Sequence, residues 1–285
     1  TLMEVIIPAI IQGLCYAAMA FGIYLTLRIF NIPDITTDGS YTLGGAVTAI
    51  LISNDLPPAA VLPIVLVAGA LAGIATGIIH TQLKLHPLLA GILVMTSLYS
   101  INLFIMGRPN IPLINEANIF NENMSYNMLL ALVFSIVLLL LLCWLLKTDF
   151  GIAMRATGSN ELMVKAMGIN TNFMKVAGLA IANALTALSG YMMVQYQGFA
   201  DINMGIGIVI AGLAAVILGE SFAVFFKSTS ILSSLITVLL GSVLFRLLLA
   251  FALLAGVPPQ MLKLLTAILV LLAAGVFKFV FKPAQ

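Results

Sequence analysis

Charge is what this sequence has least of. Of its 285 residues, 12 are Lys or Arg and 10 are Asp or Glu, a charged share of 8%. The net charge of only +2 makes no case for nucleic acid as a partner. Cysteine is nearly absent. Cys15 and Cys143 both lie inside apolar runs and read as small core residues, not as a disulfide or a metal pair. His80 and His86 flank one short turn without carboxylate or thiol partners, so they read as interfacial residues and not as metal ligands. The run G-x-x-x-x-G-K-[ST] is missing, so the chain has no phosphate-binding loop with which to hydrolyse ATP by that route. No catalytic constellation is left, and the residues do not support an enzyme.

Apolar surface is abundant instead. The apolar share is 62% and the mean hydropathy +1.18, well beyond a soluble domain. The reading is an all-α polytopic membrane protein formed by 1–285 as a single transmembrane domain. The stretch from Met128 to Leu146 has one Ser and no charge, enough helix to cross ~30 Å of hydrocarbon. Apolar runs against polar breaks predict nine segments: 4–27, 40–53, 59–83, 87–107, 126–147, 172–197, 204–219, 229–255 and 261–281. The first is too long for a cleaved signal and reads as a retained span.

The second and seventh segments are short and Gly-rich (Gly44, Gly45; Gly205, Gly207, Gly212), and each follows an irregular polar stretch, Asn31–Ser40 or Gln197–Gly205. A shift of 167 residues lays Asp34-Ile35 on Asp201-Ile202, Gly45 on Gly212 and Ile50-Leu51 on Ile217-Leu218. Pro57-Pro58 and Pro258-Pro259 also recur at corresponding places. This predicts two repeat units with broken helices, 4–107 and 172–281, joined by a linking span at 126–147 and a loop at 148–171.

Basic residues in short loops give the orientation. Lys147, Arg155, Lys165 and Lys175 put the 147–175 loop in the cytoplasm; Lys84 does the same for its turn, Lys227 for another, and Lys278 with Lys282 for the C-terminus. Arg28 falls on the inside, and the Asn-rich 107–127 loop suits the outside. The N-terminus is then outside and the two units are inverted.

The loop between the units is the densest island of charge: Lys147, Asp149, Arg155, Glu161, Lys165 and Lys175. It carries a helix signal over Asn160–Met167, with Ser159 as N-cap, Glu161 in the first turn and Gly168 just past the end. Leu162 with Ala166, and Met163 with Met167, form i,i+4 pairs. The residues alone leave open whether this is a plain surface loop or a docking element.

Polar groups inside the apolar segments are costly and restrict the pathway candidates to a few. Asn31, Asp34, Asp38 and Asp201 sit in the breaks, Arg246 deep in segment eight, Tyr99 and Asn102 on segment four. Asn183, Thr186 and Ser189 share one face of segment six. Two readings stay open. In one, Asp38 and Asp201 cap the short helices, Arg246 is neutralised by Asp201 or Glu220, and the polar stripe is helix–helix glue. In the other, these groups line a passage between the units.

The run Phe150-Gly-Ile-Ala-Met-Arg-Ala-Thr-Gly-Ser-Asn-Glu161, followed by Met167-Gly-Ile-Asn170, resembles the cytoplasmic coupling loop of ABC importer permeases of the branched-chain amino acid and ribose type. Ala215-Val-Ile-Leu-Gly219 and the break from Asn31 through Gly45 resemble the family's corresponding segments. Thr36-Thr37 and Asp38-Gly39 are most similar to a subgroup paired with lipoprotein-type binding proteins, some linked to tryptophan or tyrosine uptake. The resemblance implies a homodimeric permease in the bacterial cytoplasmic (inner) membrane. It would sit on a cytosolic ABC ATPase dimer that binds ATP and Mg, and receive a small solute, an amino acid, from an extracytoplasmic substrate-binding lipoprotein. This chain would bind no cofactor of its own, and membrane lipid would be its other partner. The resemblance also assigns ATPase coupling to Arg155, Gly158, Ser159, Asn160, Glu161, Leu162, Met163, Ala166, Met167 and Gly168. Arg246 and the compact outer loop depart from the family pattern. The competing classes are a secondary active transporter with inverted repeats and a structural subunit without transport. Paired mid-span carboxylates would mark the first, while the polar breaks argue against the second.

Overall fold

The computed structural model describes residues 2–114, 116–225 and 230–280. A helix covers each apolar segment: α1 (Leu2–Tyr24), α2 (Thr36–Ile52), α3 (Pro58–Gln82), α4 (Pro87–Met106), α5 (Met124–Lys147), α8 (Thr171–Gln197), α9 (Ile208–Phe225), α10 (Ile231–Leu254) and α11 (Leu262–Val280). Two further helices, α6 (Asp149–Ser159) and α7 (Glu161–Ala166), lie between α5 and α8. Among the described residues, six helices are long and apolar enough to cross a membrane, and shorter apolar helices lie at Ile208–Phe222 and Leu262–Ala273. The chain is an all-α polytopic membrane protein. Two of the loops used to orient it rest on Lys227 and Lys282, which lie outside the described residues.

Local sequence accounts for the ends. Pro58 and Pro87 open α3 and α4, where a missing N–H costs nothing. Gly107 and Gly198 end α4 and α8 in the left-handed region. α1 does not stop at Tyr24 but widens into a π-helical turn over Leu25–Ile29. Asn31 then reverses the chain at φ 53°, a conformation Asn tolerates better than most residues.

The core sits on α1 and α8. In each, 72% of the most apolar window is buried, against 28% in α4, so lipid faces α4 more than it faces the central pair. α1 packs on α10 as α8 packs on α3, and α2 packs on α8 as α9 packs on α1. α2 also packs on α4, and α9 on α11.

A small sheet has no precedent in the sequence reading. β1 (Asn110–Pro112) pairs antiparallel with β2 (Phe199–Asp201), with Asn110 opposite Asp201. Each strand is three residues long, too short for alternation to register. The outer loop is thereby tied to the end of α8, and the Asn118 amide donates to the Gln195 carbonyl at 2.6 Å.

Candidate functional site

Two places gather the residues singled out above. The first is the α6–α7 corner. Thr148 caps α6 by accepting from the Gly151 N–H. α6 runs through Ser159, which corrects the N-cap assignment: Ser159 is the last residue of α6, and Asn160 caps α7 by accepting from Met163 N–H at 3.0 Å. Asn is as good a cap as Ser, and the preceding helix takes Ser159 out of contention. Gly168 stands past the end at φ 83°, as its position predicts.

Glu161 fixes α7 to the foot of α8. Its carboxylate meets Lys165 Nζ at 2.8 Å and Lys175 Nζ at 2.7 Å, and accepts from the Thr171 hydroxyl at 3.2 Å. Those lysines, with Lys165 the larger influence, hold the Glu161 carboxyl at about 2, below its ordinary 4.5. Only Val164 of α7 is buried; Leu162 is 80% exposed, Met163 62% and Met167 67%, and Ala166 is exposed beside them. The result is an apolar face on a braced two-turn element, with none of the described residues covering it.

α6 is seated on α1. A Cβ on Gly158 would lie 1.6 Å from the Ile29 carbonyl oxygen, so only glycine permits this approach. Asn31 Nδ2 donates to the Gly158 carbonyl at 3.2 Å. Arg155, on the same helix, has a buried Nε without a hydrogen-bond partner among the described residues. In the same π-helical turn, Arg28 makes a two-pronged ion pair with Glu220 of α9. The sequence gives no spacing signal for the seat or for this pair.

The second place is where the two breaks meet. Asp34 is 5% exposed. One of its oxygens accepts from Thr36 N–H at 2.9 Å and the other from Asn183 Nδ2 at 2.8 Å. Asp201 makes the same turn 167 residues later, accepting from Asn203 N–H at 2.8 Å. Asp38 is a cap, but for the other short helix: its carboxylate accepts from Gly207 N–H and Val209 N–H, both at 2.9 Å, at the start of α9. Asn183 also accepts from the Ser40 hydroxyl at 2.6 Å; Thr186 and Ser189 bond to the carbonyls of Ala182 and Cys15. All three stripe residues are fully buried.

Asp38, Tyr99 and Asn102 do share space. With Thr42, Thr96 and Ile206 they line a cavity of about 280 Å³ between α2, α4 and the turn before α9. A larger cavity of about 470 Å³, between α3, α5 and α8, is walled by aliphatic and aromatic side chains such as Leu66, Phe134 and Leu185, a surface suited to lipid chains.

Arg246 departs from expectation. Neither Asp201 nor Glu220 neutralises it, since Glu220 is taken by Arg28 and Asp201 by Asn203 and Asn110. Its guanidinium lies 3.7 Å from the centre of the Tyr16 ring, which stacks on Tyr41 at 5.8 Å. A half-buried cation over an aromatic face is stabilised by about 1 kcal/mol, and inter-helix ring contacts leave no periodic trace in sequence.

Polar breaks at the centre of a polytopic helical membrane protein and an exposed apolar face on a polar loop fit the membrane subunit of a transporter. The family model described as branched-chain amino acid transport system, permease component, matches residues 5–274, and the chain belongs to that family. It is a multi-pass protein of the bacterial cytoplasmic membrane and a transporter membrane subunit, not a catalytic enzyme. The tyrosine transport system permease protein of Clostridioides difficile is 40% identical over 96% of this chain and 92% of its own length. An uncharacterized protein of Rickettsia prowazekii is 33% identical over 97% and 99%. The ribose import permease protein of Haemophilus influenzae is 29% identical over 71% of this chain and 64% of its own.

Proposed function

We propose that this chain is the permease subunit of an ATP-binding-cassette importer. Two copies form the pathway, and a cytosolic ATPase dimer, where ATP and Mg are bound, drives it. An extracytoplasmic binding protein delivers the solute, an aromatic amino acid of the tyrosine type. The observation that carries this reading is the exposed apolar face of α7, Leu162, Met163, Ala166 and Met167, on an element braced by Glu161 and seated through Gly158 on α1. Such a face on a charged loop calls for a protein partner. A push there passes through α6 to the π-helical end of α1, and on to α9 through Arg28 and Glu220.

The transport unit is read as nine membrane segments in two inverted repeats, N-terminus outside and C-terminus inside. Matched packing supports it: α1 on α10 against α8 on α3, and α2 on α8 against α9 on α1. Asp34, the fully enclosed carboxylate at the first break, is held by a backbone and an amide donor, and no second carboxylate pairs with it among the described residues, which argues against an ion-coupled carrier. The solute reading leans on the C. difficile relative.

The test is co-reconstitution with the cognate ATPase and binding protein in liposomes. Glu161→Arg combined with Met163→Asp should abolish ATP-driven uptake and strip the ATPase from the permease. Intact assembly and uptake in that variant would sink the reading.

A further inference from the structure

The cavity between α2, α4 and the turn before α9 has a chemical bias. Donors of Asn102 and of two threonines are turned to backbone carbonyls. Asn102 Nδ2 donates to the Gly39 carbonyl at 3.2 Å, and the Thr42 hydroxyl to the Asp38 carbonyl at 3.2 Å. The Thr96 hydroxyl is directed at the carbonyls of Ile92 and Leu93, at 3.0 and 2.9 Å. Acceptors are in surplus. Asn102 is 1% exposed and its Oδ1 has no partner among the described residues. Turned over, the amide would set its oxygen 3.2 Å from the Gly39 carbonyl oxygen, acceptor against acceptor, so the orientation with Nδ2 toward Gly39 holds. Asp38 takes one N–H on each oxygen and keeps further lone pairs. Neither Lys, Arg nor His lines the space; Lys263 acts on Asp38 only through its field. Met95, Ile202 and Ile206 complete an apolar wall. A buried acceptor left unpaired is costly, so the site is incomplete until something brings a donor to it.

We propose that this cavity is a solute subsite for a protonated primary amine, with Asn102 Oδ1 and Asp38 as acceptors and Tyr99 beside the solute's apolar body. The assignment rests on the permease reading and names which end of the solute this chain grips. An amino acid would enter amine first, its carboxylate kept away from the Asp38 charge.

The test uses the full chain in lipid nanodiscs and follows its thermal unfolding midpoint, which rises with any ligand that binds only the folded state. The probes are tyramine, tyrosine, 3-(4-hydroxyphenyl)propionate, which lacks the amine, and sodium chloride. Tyramine and tyrosine should raise the midpoint; the propionate and sodium should not. Asn102→Leu should weaken tyramine by at least about tenfold, the loss of one hydrogen bond to a charged group. Asn102→Asp keeps the shape, adds charge and should strengthen tyramine, which covers the case in which the Leu variant does not fold. No shift with tyramine, an equal shift with the propionate or with sodium, or unchanged tyramine affinity in both variants would overturn the assignment. ATP-driven uptake by the reconstituted complex reports on the permease reading independently, since the nanodisc measurement needs neither ATPase nor binding protein.

Discussion

The two interruptions, before α2 and before α9, use the same local device in different surroundings. Asp34 and Asp201 each accept from the backbone N–H two residues on, at 2.9 and 2.8 Å. Beyond that turn they differ. The other oxygen of Asp34 is held by Asn183 in the heart of the core. Asp201 is only partly buried, and its second oxygen meets Asn110 on the exposed strand β1 at 3.3 Å. α2 is buried along most of its length. The first interruption therefore belongs to the scaffold. The second is held by the outer strand pair and by the cap that Asp38 reaches across to it, a looser attachment that suits a moving part.

Substitutions can break this contrast. Asp34→Ala should cost about 3 kcal/mol or more, because it removes two hydrogen bonds, leaves the Thr36 N–H buried without its acceptor and leaves the Asn183 amide only the Leu179 carbonyl. Thermal unfolding in detergent, or loss of folded yield, reads it. Asp38→Ala should cost ~1–2 kcal/mol through the lost cap on α9 and raise hydrogen exchange at 207–209 with little change in α2. Asp201→Ala should cost under about 1 kcal/mol, as a partly exposed turn does. Equal losses for Asp34→Ala and Asp201→Ala would erase the distinction.

The smallest effect concerns pH at α7. With the Glu161 carboxyl held at about 2 against an ordinary 4.5, its ion pairs contribute fully above about 4.5 and are lost as pH falls through about 2. Protection factors at α7 amides, with the intrinsic pH dependence of exchange divided out, should hold from pH 7 to 5 and fall below pH 4. Glu161→Gln should remove that dependence, with a stability change of only a few tenths of a kcal/mol because the pairs are partly solvated.

Helix positions were legible because apolar length is an unambiguous signal in a chain with so few charges. The 167-residue shift was legible for the same reason that Asp34 and Asp201 make one turn: a local motif needs only its own neighbours. What reached across the fold was not. Asn183 bonds Asp34 from 149 residues away, Asp38 caps α9 from about 170 residues away, and Arg246 rests on a tyrosine ring. The misassigned Ser159 belongs with these failures, for it follows from missing α6, whose cap Thr148 and first-turn Asp149 were in view but lay beside a span end. Of the pathway candidates, Asp38, Tyr99 and Asn102 converge on one cavity. Asn183 and Thr186 are packed inside the core, where spacing cannot distinguish glue from lining.

Cross-linking from α7 tests the central claim most directly. The native cysteines Cys15 and Cys143 are buried, so a single cysteine at Leu162, 80% exposed, or at Glu122, exposed in the 107–127 loop, would dominate thiol chemistry. In intact cells, Leu162→Cys should resist a membrane-impermeant maleimide, and with a thiol-to-amine reagent in membranes it should cross-link to the ATPase. Glu122→Cys should react from outside and give no ATPase adduct. Labelling of Leu162→Cys from outside, or no ATPase adduct from it in an assembled complex, would contradict the account.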